Sequence, residues 1–160
     1  PVDAVLALAP NMWARQFEPS RLAWARKRGL MEAFMLVARA RGHFPARRLG
    51  MGTDDEAIDY VRSLVETARA GRCEGPQGDY FATMNRVGVP VLALVGGADH
   101  LLCHVEAARR FLRAIPRVEL RVVPGVDHMG LVLDAASRPA WRDAAAWLSA
   151  RLGAAPERSS

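Results

Sequence analysis

The chain has 160 residues, of which 51% are hydrophobic and 24% charged, with a formal net charge of +5. That is about one domain of ~150 residues with a core of its own, and the composition excludes disorder and low complexity. No apolar run reaches the ~18 residues of a membrane span, no basic and apolar leader opens the sequence, and two cysteines build no disulfide scaffold, so a cytoplasmic protein is expected.

Of the 22 basic residues, 21 are arginine and one is Lys27. They are scattered along the chain, apart from a cluster at Arg26-Lys27-Arg28. Phosphate-binding surfaces gather their cations on one face or tail, so the expectation here is a solvated arginine-rich surface and no nucleic-acid partner.

Residues 5–9 are apolar at both alternating sets of positions, as a strand inside a covered parallel sheet requires. About 80 residues without a strand pattern follow. Here a short helix is predicted over 20–29, and a second is marked by Met31, Phe34, Met35 and Ala38. Thr53-Asp54-Asp55-Glu56 reads as a capping box that opens a third helix. This helix carries Ile58, Val61, Leu64, Val65 and Ala68 on one stripe and closes at Gly71. Residues 72–79 read as a loop, and His43 as a surface loop residue. The bulky Met12, Trp13, Phe17, Trp24, Phe34 and Met35 are expected to pack between elements, a minority of them lining an apolar pocket.

After Pro90, residues 91–95 repeat the doubly apolar strand pattern. A helix striped by Val105, Ala108, Phe111, Leu112 and Ile115 is stopped by Pro116. In residues 118–123, Glu119 and Arg121 alternate with apolar neighbours, which suits a strand nearer an edge. A last helix enters at Ser137, carries Trp141, Ala144, Ala145, Leu148 and Leu152, and ends at Gly153. Strand, helix, strand, helix is the unit of a parallel α/β sheet.

Strands of such sheets deliver functional residues at their C-terminal ends. Val95-Gly96-Gly97-Ala98-Asp99-His100 follows one strand and Pro124-Gly125-Val126-Asp127-His128-Met129-Gly130 the next. A carboxylate at Asp99 and an imidazole at His128 can therefore meet, and the carboxylate then holds the ring in one tautomer and stabilises the imidazolium. Asp127 competes as the acid, but adjacent side chains point apart. His100, Cys103 and His104 form a weak zinc pattern without an evident fourth ligand, so no metal is expected. Cys103 has no base placed to activate it.

On these two loops, residues 89–152 resemble the C-terminal part of an α/β-hydrolase of the esterase, lipase and aminopeptidase-like kind. The resemblance implies a partial parallel sheet of three strands with flanking helices, Asp99 as triad acid and His128 as triad base, with no cofactor. It divides the chain into a first core strand at 1–10, a helical lid insertion at 11–88, an α/β core at 89–153 and a frayed tail at 154–160. The family's Gly-x-Ser-x-Gly elbow is absent: Ser20, Ser63, Ser137, Ser149, Ser159 and Ser160 lack the flanking glycines. In the family's chain order the nucleophile precedes Pro1, so this chain alone is expected to be inactive. The expected partners are the N-terminal half of the fold or a second copy pairing along the first strand, and a small ester or amide substrate. The alternative is a non-catalytic binding or assembly module of the same fold.

Overall fold

The computed structural model describes residues 2–152; the expected frayed tail at 154–160 lies outside them. In chain order it contains β1 (Val5–Leu8), α1 (Arg21–Arg41), β2 (His43–Phe44), β3 (Glu56–Ala57), α2 (Ile58–Ala70), β4 (Glu74–Gly75), β5 (Gly78–Asp79) and the single turn α3 (Tyr80–Thr83). Then come β6 (Val91–Gly96), α4 (Val105–Leu112), β7 (Val118–Val123), the single turn α5 (Gly130–Leu133) and α6 (Arg138–Leu152). These elements form two compact units, one of residues 12–83 and one of 2–11 with 84–152.

The second of these units is built on a three-stranded parallel sheet in the order β1-β6-β7. Every residue of β6 is buried, as its unbroken apolar run predicts. Successive side chains point to opposite faces. Leu92 and Leu94 pack with Ala144 and Trp147 of α6, whereas Val95 packs with Cys103 and with Ala108 of α4. Among the described residues β7 lies at the sheet edge, as the alternation of Glu119 and Arg121 predicts. β1 has β6 as its one neighbour among the described residues, and its side chains are half-buried at Val5, Leu6 and Ala7 and exposed at Leu8.

α6 corrects the predicted stripe. Ala145 is exposed, and Trp147 takes the core position at 7% exposure, with its indole N–H donating to Glu119 Oε2 at 3.0 Å. Ser137 does not cap the helix through its side chain; buried, it donates its hydroxyl to the Gly130 carbonyl at 2.6 Å.

The other unit departs further from expectation. Residues 21–41 form one helix rather than two, with Ser20 capping the N-terminus through its hydroxyl and Gly42 (φ 79°) ending it. Gly29 does not break the helix because the buried positions Lys27, Met31, Met35 and Ala38 run past it on one face. The capping box at 53–56 does not form. Thr53 bonds to Asp54, and α2 starts only after Ala57, which pairs with His43. His43 thus lies in a two-residue strand, with Nε2 3.4 Å from Asp55 Oδ2. Residues 72–79, expected as loop, contain the small antiparallel pair β4-β5.

Lys27 is the largest correction. Instead of joining a solvated cluster it is 3% exposed, with Nζ 2.6 Å from Glu18 Oε1 and 5.4 Å from the Trp13 ring centroid. Trp13 and Met35 are core residues, and the Phe34 ring lies tilted against those of Trp13 and Phe44.

Candidate active site

Parallel pairing puts Gly96, the last residue of β6, opposite Val123, the last of β7, so the two following loops begin side by side. Backbone bonds then join them. Gly97 N–H donates to the Val123 carbonyl at 2.8 Å and Ala98 N–H to the Val126 carbonyl at 2.9 Å. The approach is close enough to demand glycine at 96. A Cβ there would press on the Val126 carbonyl oxygen and lie 2.7 Å from that of Asp127. Gly125, at φ 70°, turns the chain out of β7 toward the histidine.

Asp99 sits in the first loop at 4% exposure. Its Oδ1 accepts the Leu102 N–H at 2.9 Å, and its Oδ2 lies 2.7 Å from His128 Nδ1. Burial pushes the carboxyl up. The hydrogen bond from His128 and those from the Cys103 and Leu102 backbone outweigh it, and hold Asp99 below the ordinary aspartate value.

With Asp99 ionised, Nδ1 must carry the proton of that short bond, which leaves a lone pair on Nε2 of a neutral ring. The His128 side chain is 35% exposed, and Nε2 has no hydrogen-bond partner among the described residues. Such an arrangement can act as a base, since it has a fixed tautomer and an accessible proton-accepting nitrogen. The rival acid, Asp127, is exposed and caps the next turn by accepting the Gly130 N–H at 2.7 Å.

Two of the three residues of the weak zinc pattern have structural roles, and the third, His100, is exposed. His104 Nδ1 accepts the Glu106 N–H at 3.1 Å as the N-cap of α4, and Cys103 is fully buried beside Val95 and Ala108. Among the described residues no group of three or more His, Cys, Asp or Glu could hold a metal ion. A cavity of about 340 Å³, lined by Arg15, Trp24, Arg28 and Arg69 among others, belongs to the 12–83 unit and includes neither Asp99 nor His128. Sequence reasoning missed Asn11, whose side-chain amide donates to the Leu102 carbonyl at 3.2 Å. The signal was available: Asn11 is a polar residue just past the C-terminal end of an apolar strand, the same placement that singled out Asp99.

No protein-family model and no curated protein matches the sequence. Solved structures do. MenH from S. aureus is 12% identical with a TM-score of 0.61, over 95% of this chain and 60% of that one. A monoacylglycerol lipase from Paleococcus ferrophilus is 16% identical with a TM-score of 0.51, over 94% of this chain and 60% of that one. MGS-M2, an α/β-hydrolase from a Medee basin deep-sea metagenome library, is 8% identical with a TM-score of 0.50, over 97% of this chain and 57% of that one. At these identities the likeness establishes the fold. The chain carries part of the α/β-hydrolase fold, in keeping with a C-terminal portion, and spans about 60% of the length of the structures it matches. Among the described residues no helix is long and apolar enough to cross a membrane.

Proposed function

We propose that the chain supplies the acid and base of a serine hydrolase that cleaves esters or amides, with Asp99 as the acid and His128 as the base. The observation that carries this is the 2.7 Å contact between buried Asp99 and His128 Nδ1, made by loops that follow adjacent parallel strands. In this reading a serine outside the 160 residues attacks the carbonyl carbon as its proton passes to His128 Nε2. Asp99 stabilises the resulting imidazolium without taking the proton itself. His128 then protonates the leaving alcohol or amine, and water, deprotonated by the same nitrogen, releases the acid and frees the serine. The nucleophile and the backbone donors for the oxyanion belong to the remainder of the fold, which is the partner this chain requires. By its place in the chain order, the 12–83 unit is read as the lid insertion.

Hydrolysis of a chromogenic ester tests the proposal. The complete native protein should turn over such an ester and lose on the order of 10³-fold or more of kcat in His128→Ala. The 160-residue chain by itself should show no His128-dependent turnover. A complete protein that folds, binds esters and leaves them intact would instead be a non-catalytic module. Turnover by the isolated chain that His128→Ala abolishes would mean that a nucleophile lies within it.

A further inference from the structure

The Asp99–His128 pair has a support that begins three residues past β1. Asn11 Nδ2 donates to the Leu102 carbonyl at 3.2 Å, and the N–H of that same Leu102 donates to Asp99 Oδ1 at 2.9 Å. The other Asp99 oxygen meets His128 Nδ1 at 2.7 Å. A continuous path of three hydrogen bonds thus runs from Asn11 to the ring.

Two features of the Asn11 segment work against stability. Asn11 Oδ1 is buried and has no partner among the described residues. Turning the amide over would not help, because it would set Oδ1 against the Leu102 carbonyl, acceptor to acceptor. Ala9 has φ 44°, the left-handed region that side chains other than glycine adopt at a cost. A leucine at position 11 would keep the branching at Cγ and remove the orphaned acceptor, at the loss of the bond to the Leu102 carbonyl. A buried polar group kept with one of its two polar atoms unpaired points to a task other than packing.

We propose that Asn11 is a positioning residue: through Leu102 it fixes the acid loop, and with it the orientation of the Asp99 carboxylate toward His128. This rests on reading Asp99 and His128 as the acid–base pair. Asp99 is the charged group bonded to the ring; Asp127 is turned to the Gly130 N–H, and His104 is held by the Glu106 N–H.

The test is nuclear magnetic resonance of histidine-labelled complete native protein. It follows the far-downfield Nδ1 proton of His128, with a urea melt of each variant to establish that it is folded. In Asn11→Leu that the melt shows to be folded, the Nδ1 proton should exchange with solvent about fivefold faster, the factor one hydrogen bond of ordinary net strength carries. Should leucine prevent folding, the smaller Asn11→Ala carries the same expectation. Unchanged Nδ1 exchange in a folded variant overturns the role of Asn11 and leaves the pair intact. Asp99→Asn, whose Oδ1 is kept by the Leu102 N–H so that an amide donor faces the ring, should make Nδ1 an acceptor and abolish the resonance. A wild-type protein without that resonance overturns the pair, and the hydrolase reading with it.

Discussion

A methyl group added at Gly96 tests whether the two loops are held as described. Its nearest neighbours would be the Val126 carbonyl oxygen, the Asp127 carbonyl oxygen at 2.7 Å and the Asp127 carbonyl carbon at 3.0 Å. All are backbone, so no side chain can rotate out of the way. A carbon–oxygen contact relaxes only near ~3.3–3.6 Å, so the histidine loop must retreat by roughly 1 Å. That movement stretches the 2.9 Å bond from Ala98 N–H to the Val126 carbonyl beyond hydrogen-bonding range. An orphaned amide costs about 1–3 kcal/mol and residual overpacking about 1–3 more, while the stiffer unfolded chain returns about 0.4–1. Gly96→Ala should therefore destabilise by about 3 kcal/mol (range about 1–5) in urea denaturation and weaken the His128 Nδ1 proton signal. Gly125→Ala is the control, because its Cβ meets nothing within 4 Å and only its φ of 70° is unfavourable, worth about 1–2 kcal/mol. If Gly96→Ala costs no more than Gly125→Ala, the close approach of the loops is wrong.

Three further outcomes follow from other parts of the molecule. Lys27→Met removes the cation from a buried ion pair and should cost about 3–5 kcal/mol, whereas Glu18→Leu combined with Lys27→Met should recover most of that loss; a single variant melting within 1 kcal/mol of wild type would falsify the burial of the pair. Gly29→Ala, in the interior of α1 with open space at its Cβ, should stabilise by about 0.5–1 kcal/mol, and a destabilised variant would show that α1 is broken there. Because Asp99 is held below its ordinary value, its stabilising contribution is complete above the unfolded aspartate value of about 3.9 and is lost as pH falls through the lower folded value. Urea midpoints taken from pH 7 to pH 3 should thus fall less steeply in Asp99→Asn than in wild type; equal slopes would contradict the direction of the shift.

The sheet strands and both loops were legible because their signals are local. Six buried residues in a row at β6, charges at alternate positions in β7, and glycine-rich turns past each strand need no knowledge of the rest of the chain. The failures came where tertiary packing outvotes a local rule. Gly29 suggests a break, but the apolar face of α1 continues beneath it. Thr53 and Glu56 have the spacing of a capping box, yet Glu56 is drawn into pairing with Phe44. Ala145 and Trp147 differ by two positions on one helix, and the placement of the sheet decides which is covered. Lys27 sits between two arginines, and nothing in its neighbours reveals the carboxylate nine residues earlier. Asn11 went unseen because its partner is 91 residues away.

The position of β6 between two parallel neighbours also governs the order in which this unit opens. Its amides bond into the sheet and all its side chains are enclosed, so they should exchange with deuterium only in the rarest and largest openings. The Gly97 and Ala98 amides continue that ladder into the acid loop through their bonds to Val123 and Val126. The most slowly exchanging segment then extends past the strand to within one residue of Asp99. Asp99 and His128 should therefore remain in contact through the frequent, shallow fluctuations that fray the exposed outer positions of β1 and β7.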